Sequence, residues 1–72
     1  MMNIREKLIE LYQRQIDTLE PLYHRLFDEA SQLDLEEDEA RSRATWAVCD
    51  RTEWLLNRAI NSRDEITTGQ EA

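Results

Sequence analysis

The 72-residue chain has few of the residues that build turns, cross-links or metal sites, with one glycine, one proline, one cysteine and one histidine. A single cysteine cannot form an internal disulfide, and without a Cys/His cluster the sequence indicates no structural zinc site. Leu, Glu, Arg, Ala and Gln, which all favour helices, make up much of the rest. The chain is therefore predicted to be all-α, with no cofactor.

Basic residues are also scarce. Nine Lys and Arg stand against sixteen Asp and Glu, which gives a formal net charge of -7. Such a balance disfavours direct binding to nucleic-acid backbones and to anionic lipid. No apolar run approaches the roughly 20 residues of a membrane span, and the first ten residues lack the apolar core of a signal peptide. We therefore expect a cytoplasmic protein that binds neither membranes nor, directly, nucleic acid.

The first helix is predicted over about residues 3–32, with Asn3 as its N-cap and Glu6 in capping-box position. Apolar residues recur at helical spacing on both sides of Pro21, and Leu22 continues the stripe without a change of phase. One long helix bent at Pro21 is therefore favoured. The alternative is two shorter helices that meet near Glu20.

Residues 28–40 carry seven carboxylates and no basic residue. The turn is predicted at residues 33–35, where Asp34 would cap the second helix with Glu37 in capping-box position. The other carboxylates of this acidic segment have two interpretations: they are solvated and stabilise the helix N-terminus, or they dock on a basic protein surface.

The second helix is predicted over about residues 35–66, followed by a disordered tail at 69–72. Its densest apolar stretch is residues 44–60, which contains both tryptophans and Cys49. Cys49 is interpreted as a small core residue. Trp46 falls on the flank of the apolar face and Trp54 nearly opposite it, so this helix is expected to be covered on two sides.

A lone hairpin of two long helices would leave wide apolar faces in water, and a domain of this size is marginal without association. We therefore predict an αα-hairpin, a single domain over residues 1–72, that dimerises into a four-helix bundle. The predicted dimer core is Leu8, Leu11, Gln15, Leu19, Val48, Thr52, Leu55 and Leu56. Gln15 would lie level with Thr52 and form a polar layer, or lie solvated at an open edge.

The layout resembles the plasmid-encoded Rop family of RNA-binding helical hairpins in length, two-helix topology and the acidic connection LDLEEDEA at residues 33–40. The resemblance implies the hairpin architecture. It does not extend to RNA binding, because the basic residues of the first helix are scattered among acidic ones.

Catalysis has little support, because no nucleophile–base pair or phosphate loop is present. His24 lies four residues from Glu20 and from Asp28, but a metal would need a fourth ligand, and surface ion pairing is favoured.

The sequence predicts instead a non-enzymatic protein-binding module, a regulator, adaptor or inhibitor of another protein with a basic surface, of the kind that phages and mobile elements encode. Its predicted contact residues are Trp46, Asp50, Trp54, Asn57, Glu36, Glu37, Asp38 and Glu39.

Two other functions are weighed against this one. The first is a small-ligand sponge or sensor that holds an anionic or aromatic molecule in a dimer cleft lined by Trp46, Arg41 and Arg63. The second is a subunit of a larger structural assembly.

Overall fold

The protein is an antiparallel pair of helices, α1 over Ile4–Leu35 and α2 over Glu39–Gly69, in a computed structural model that describes residues 3–69. The two helices pack along their length, and the Cα positions span 52 × 23 × 13 Å. A thickness of 13 Å is close to the diameter of one helix, so the molecule is a single layer. The predicted all-α hairpin is confirmed. The tail prediction falls mostly on residues 70–72, which lie outside the described residues.

α1 begins as predicted. The Asn3 side chain accepts a hydrogen bond of 2.8 Å from the backbone N–H of Glu6, which satisfies one of the free donors at the helix N-terminus. The helix then runs without interruption through Pro21 to Leu35, so the alternative of two shorter helices is wrong.

The turn lies at residues 36–38, three residues later than the predicted 33–35. α1 ends in the hydrogen-bond pattern of a Schellman motif: the N–H of Glu37 bonds Asp34 O and the N–H of Asp38 bonds Leu33 O, each at 3.1 Å. Glu37 occupies the left-handed position with φ 59°, where glycine is usual. Residues 33–40 contain no glycine, so the sequence does not indicate where α1 ends.

Asp38, and not Asp34, caps α2. Its Oδ1 accepts from the backbone N–H of Arg41 at 3.2 Å, and its carbonyl accepts from the N–H of Ser42 at 2.9 Å. Asp34 remains inside α1, where its carboxylate points to α2 instead. Glu37 is a residue of the turn, outside either helix.

The core of the hairpin is small. Ile16 of α1 packs with Leu56 and Ala59 of α2, and partly buried apolar and aromatic side chains surround them. These surrounding residues are Tyr12, Leu19, Tyr23 and Ile60. Cys49 is 1% exposed, as expected for a small core residue.

The displaced turn changes which residues lie opposite each other. In an antiparallel pair, moving the turn by three residues moves the residue opposite any given position by twice that amount. Gln15 therefore lines the same groove as Ala59, a groove that Thr52 does not line, and it is exposed. The hydroxyl of Thr52 is buried and donates to Val48 O of its own helix at 2.8 Å. The predicted Gln15–Thr52 layer is wrong for the single chain, and the solvated edge is what the structure has.

At the other end of the hairpin, Arg5 fastens α1 to α2. Its guanidinium donates to the carbonyls of Ile66 at 3.4 Å and Thr67 at 3.1 Å. These carbonyls lie in the last turn of α2, where the helix dipole favours a positive charge.

Candidate functional site

One side of the hairpin, which we call the open face, leaves large apolar side chains in water. On α1, Leu11 is 49% exposed, and on α2, Val48 is 53% exposed. Leu8, Leu22 and Leu55 are each between 37% and 40% exposed. In α1 these leucines follow one another at helical spacing, so they form one stripe rather than scattered residues. Contiguous exposed apolar surface of this kind is typical of an interaction site.

A groove of about 650 Å³ runs between the two helices on the open face. Its apolar lining comes from Leu11, Leu19 and Leu55, with Tyr12 and Ala59. The two charged residues of the lining are both basic, Arg14 from α1 and Arg58 from α2. Arg14 is paired with Glu10 at 2.6 Å, so the positive charge that the groove offers comes mainly from Arg58. A groove with apolar walls and a cationic edge can bury an apolar surface and also attract negative charge.

The predicted dimer-core residues divide between the inside of the hairpin and the open face. Leu56 and Thr52 are buried in the hairpin itself, and Leu19 packs against its core. The other predicted residues stay exposed, namely Leu8, Leu11, Gln15, Val48 and Leu55. The hairpin therefore covers one part of the predicted core and leaves the other part uncovered.

Trp46 packs within the hairpin. Its indole Nε1 donates to Asp34 Oδ2 at 2.9 Å, and its ring meets Phe27 of α1 edge-on, with the ring centroids 5.1 Å apart. The Ser42 hydroxyl donates to the other oxygen of the same carboxylate. A partly buried indole with its N–H paired is a structural contact between helices. The prediction missed this cluster because it placed Asp34 at the start of the wrong helix.

Trp54 points away from α1 and is 49% exposed. Two guanidinium groups flank its ring: Cζ of Arg51 lies 4.7 Å from the ring centroid and Cζ of Arg58 lies 5.3 Å away. Both distances are within the range of cation–π attraction. The arginines stand three residues before and four residues after Trp54, a helical spacing that the sequence already contains. Asp50 and Asn57, the other predicted contact residues of this region, are exposed on the same helix.

The predicted acidic contact residues lie at the turn, and each has a local structural role. Glu36 is the C-cap residue of α1, Glu37 holds the left-handed position, Asp38 caps α2, and Glu39 is in the first turn of α2. Trp54 lies sixteen residues beyond Asp38, or about 24 Å along the helix axis. The predicted contact residues therefore fall into separate regions: the acidic turn, the outer side of α2, and Trp46 inside the hairpin.

Among residues 3–69, three groups have pKa values moved from their ordinary range. Hydrogen bonds from Ser42 first and Trp46 second lower the pKa of Asp34. Desolvation, with the nearby Asp50 and Glu53 carboxylates, raises the pKa of the Cys49 thiol. Desolvation first, and Glu53 second, raise the pKa of Tyr23. A buried thiol that resists ionisation is a poor nucleophile. This fits a packing role for Cys49 and not a reactive one.

The arginines of the predicted ligand cleft do not meet in one chain. Arg41 forms an ion pair with Asp38 at 3.6 Å at the start of α2. Arg63, near its end, contacts Asp64 and donates to Gln13 Oε1 at 3.0 Å. The structure thus separates these two residues by most of the length of α2. Within residues 3–69 no group of three His, Cys, Asp or Glu side chains is placed to hold a metal ion.

Comparisons of the chain with protein-family models, curated protein sequences and solved structures find no match. In the described range 3–69, neither helix has the length and apolar character that crossing a membrane requires.

Proposed function

We propose that this protein is a non-enzymatic protein-binding module that acts in the cytoplasm as a regulator, adaptor or inhibitor of another protein. The observation that supports this best is the open face. A hairpin one helix thick buries a small core and leaves Leu11, Val48 and Leu55 largely in water. Exposed apolar surface on this scale favours association over an isolated existence.

We further propose that a second copy of the chain covers part of this surface, so that two hairpins form a four-helix bundle with a bend in α1 at Pro21. Pro21 has no N–H to donate to Asp17 O, which is the usual cause of a helix bend. A two-fold dimer is the commonest way to cover an apolar face with an identical one. Two hairpins give a core thick enough to enclose Leu8, Leu11, Val48 and Leu55.

Contact with the other protein is proposed to use two regions. Trp54 would be the anchor on α2, with Asp50 and Asn57 beside it, because exposed tryptophan is enriched among residues that dominate binding energy. The acidic turn, with Glu36, Glu37, Asp38 and Glu39, would attract basic residues of the partner. Trp46 is left out of this set, because its indole is bonded to Asp34.

Quantitative affinity purification tests the proposal. Wild-type protein and a Trp54→Ala variant serve as baits in extract of the native cell, with Leu35→Ala as control, since Leu35 is 80% exposed at the end of α1. The expected result is a defined protein recovered by the wild type and the control and lost, by about tenfold or more, with Trp54→Ala. Circular dichroism should show equal helicity for all three. If no protein depends on Trp54 while the fold is intact, the proposal is wrong.

The groove favours one alternative function, the binding of a small anionic molecule. Its apolar lining beside Arg58 suits an amphipathic anion, with Arg14 across the groove already paired with Glu10. A volume of about 650 Å³ is in the range of known ligand sites. A thermal-shift screen of nucleotides and carboxylate metabolites tests it. A ligand that raises the melting temperature in the wild type, but not in Arg58→Gln, would favour this function.

A further inference from the structure

Arg51 and Arg58 carry charges that the hairpin does not neutralise. Elsewhere in the described chain, Arg14 pairs with Glu10 at 2.6 Å and Arg41 with Asp38 at 3.6 Å. Within residues 3–69 no ion pair joins Arg51 or Arg58 to a carboxylate; both lie against Trp54 instead. Lys7, Arg25 and Arg43 also form no ion pair among the described residues, but Arg51 and Arg58 differ from them in lying against an aromatic ring.

The sequence around Arg51 and Arg58 places no carboxylate where one could pair with them along α2. The positions three and four residues away from Arg51 and Arg58 are where a carboxylate could pair with them along the helix. None is acidic: they are Ala47, Val48, Trp54 and Leu55 for Arg51, and Trp54, Leu55, Asn61 and Ser62 for Arg58. The two charges are therefore available to a carboxylate from outside the helix.

These residues form one strip along the outer side of α2, which we call the α2 strip: Ala47, Arg51, Trp54, Arg58 and Asn61. Its members alternate at spacings of four and three, the repeat that keeps residues on one side of a helix. All five are exposed. Helices that pack side by side meet through this repeat, so the strip has the geometry to receive another helix.

We propose that the α2 strip docks an acidic amphipathic helix of the partner protein, with Trp54 against its apolar side and carboxylates on Arg51 and Arg58. This inference rests on the proposed function and specifies the chemistry of the partner at one of its two contact regions. The argument is charge complementarity: two arginines lie against Trp54 at the centre of the strip, and none of its five residues is acidic. The nearest exposed carboxylates on this side of α2 are Asp50 beside the strip and Glu65 beyond its C-terminal end. The acidic turn at the end of the hairpin favours basic residues instead. Arginine and tryptophan are also among the residues most enriched in binding hot spots.

A designed peptide tests the inference directly. The probe is a fluorescently labelled helix of three heptads, with leucines on one side and glutamates spaced seven residues apart to match Arg51 and Arg58. The control peptide carries lysine in place of every glutamate. Fluorescence anisotropy should show binding of the acidic peptide that is at least about tenfold tighter than that of the basic peptide, and that weakens with added salt.

Variants of the protein locate the contact. Arg51→Gln with Arg58→Gln should weaken binding of the acidic peptide by about tenfold or more, and Trp54→Ala should do likewise. Arg25→Gln removes one charge from an exposed arginine of α1 and should change the affinity less than about twofold. Circular dichroism measures the helix content of every variant, and sedimentation measures its self-association. Both must match the wild type before weaker peptide binding is attributed to the α2 strip.

Any of three results would overturn the inference. The first is equal binding of the acidic and basic peptides, and the second is binding that the arginine variants leave unchanged. The third is loss of self-association in Trp54→Ala with an intact helix content, because the strip would then belong to the contact between copies. If the protein captured from extract depends on Trp54 but not on Arg51 and Arg58, the proposed function is kept. Only the inference that the partner contributes an acidic helix is then wrong.

Discussion

At the scale of single residues, the Asp34 carboxylate connects the two helices near the turn. It accepts from the Ser42 hydroxyl and, at 2.9 Å, from the Trp46 indole, both on α2. These two donors stabilise the charged form, and they hold the pKa of Asp34 below its ordinary value of 3.8. The contact is therefore strongest when Asp34 is ionised.

This contact predicts a pH dependence of stability. In the unfolded chain Asp34 takes up a proton near pH 3.8, before it does so in the folded protein. Its stabilising effect is therefore complete above that pH and is lost as the pH falls through the lower folded pKa. Thermal melts followed by circular dichroism between about pH 2 and 6 should show a smaller acid-induced drop in melting temperature for Asp34→Asn than for the wild type.

Equal drops would contradict the role of Asp34. Asp28→Asn, at an exposed carboxylate of α1, is the matched control and should behave as the wild type does.

The same residues show how far single positions could be assigned from the sequence. Burial of Cys49 and exposure of Trp54 both followed from their angular positions on α2. Trp46 could not be placed in the same way. Its position on the flank of the helix allows either an inward or an outward contact, and Asp34 and Phe27 of α1 decide the matter. Their proximity depends on the position of the turn, which helical periodicity does not determine.

At the scale of elements, the turn depends on Glu37 in a conformation that side chains with a Cβ rarely adopt. Its φ of 59° crowds the Cβ against the following carbonyl, at a cost of about 1 kcal/mol. Glu36, one residue earlier, has φ -83° and no such strain. The structure thus supplies a matched pair of neighbouring glutamates, one strained and one relaxed.

Glycine substitutions at these two positions should have opposite effects. Glu37→Gly relieves the strain and is expected to raise the free energy of unfolding by up to about 1 kcal/mol. Glu36→Gly gains nothing in the folded state and adds freedom to the unfolded chain, so it should lower the free energy of unfolding by about 0.5 to 1 kcal/mol. Urea unfolding followed by circular dichroism measures both. A destabilised Glu37→Gly would mean that the left-handed turn is absent in solution.

The elements themselves were well predicted, whereas their connection was not. The apolar stripe keeps its phase across Pro21, and that was sufficient to predict one continuous helix. The end of α1 has no comparable signal, because the stretch DLEEDEA contains two aspartates able to cap a helix, Asp34 and Asp38, and no glycine. Choosing Asp34 over Asp38 as the cap moved the turn by three residues, and the predicted Gln15–Thr52 pairing failed for that reason.

At the scale of the whole molecule, the hairpin is thin for the amount of apolar surface it carries. The buried cluster joins Ile16, Leu56 and Ala59, while Leu11 and Val48 remain about half exposed. A core of this size gives little stability to set against the conformational entropy of ordering the chain. The stability of the hairpin should therefore depend on association, and hence on protein concentration.

Sedimentation equilibrium and concentration-dependent melting test this dependence. The wild type is expected at twice the 8.6 kDa of one chain, with a melting temperature that rises with concentration. Leu11→Glu with Leu55→Glu places unpaired carboxylates on the open face, where enclosing them would cost about 3 kcal/mol or more, so this variant should sediment as a single chain and melt at a lower temperature. Leu35→Glu adds a charge at the exposed end of α1 and should remain dimeric. A wild type that sediments as one chain at about 100 μM and melts cooperatively, with no dependence on concentration, would show that the hairpin is stable with its open face in water. The exposed leucines would then need an explanation other than a second copy.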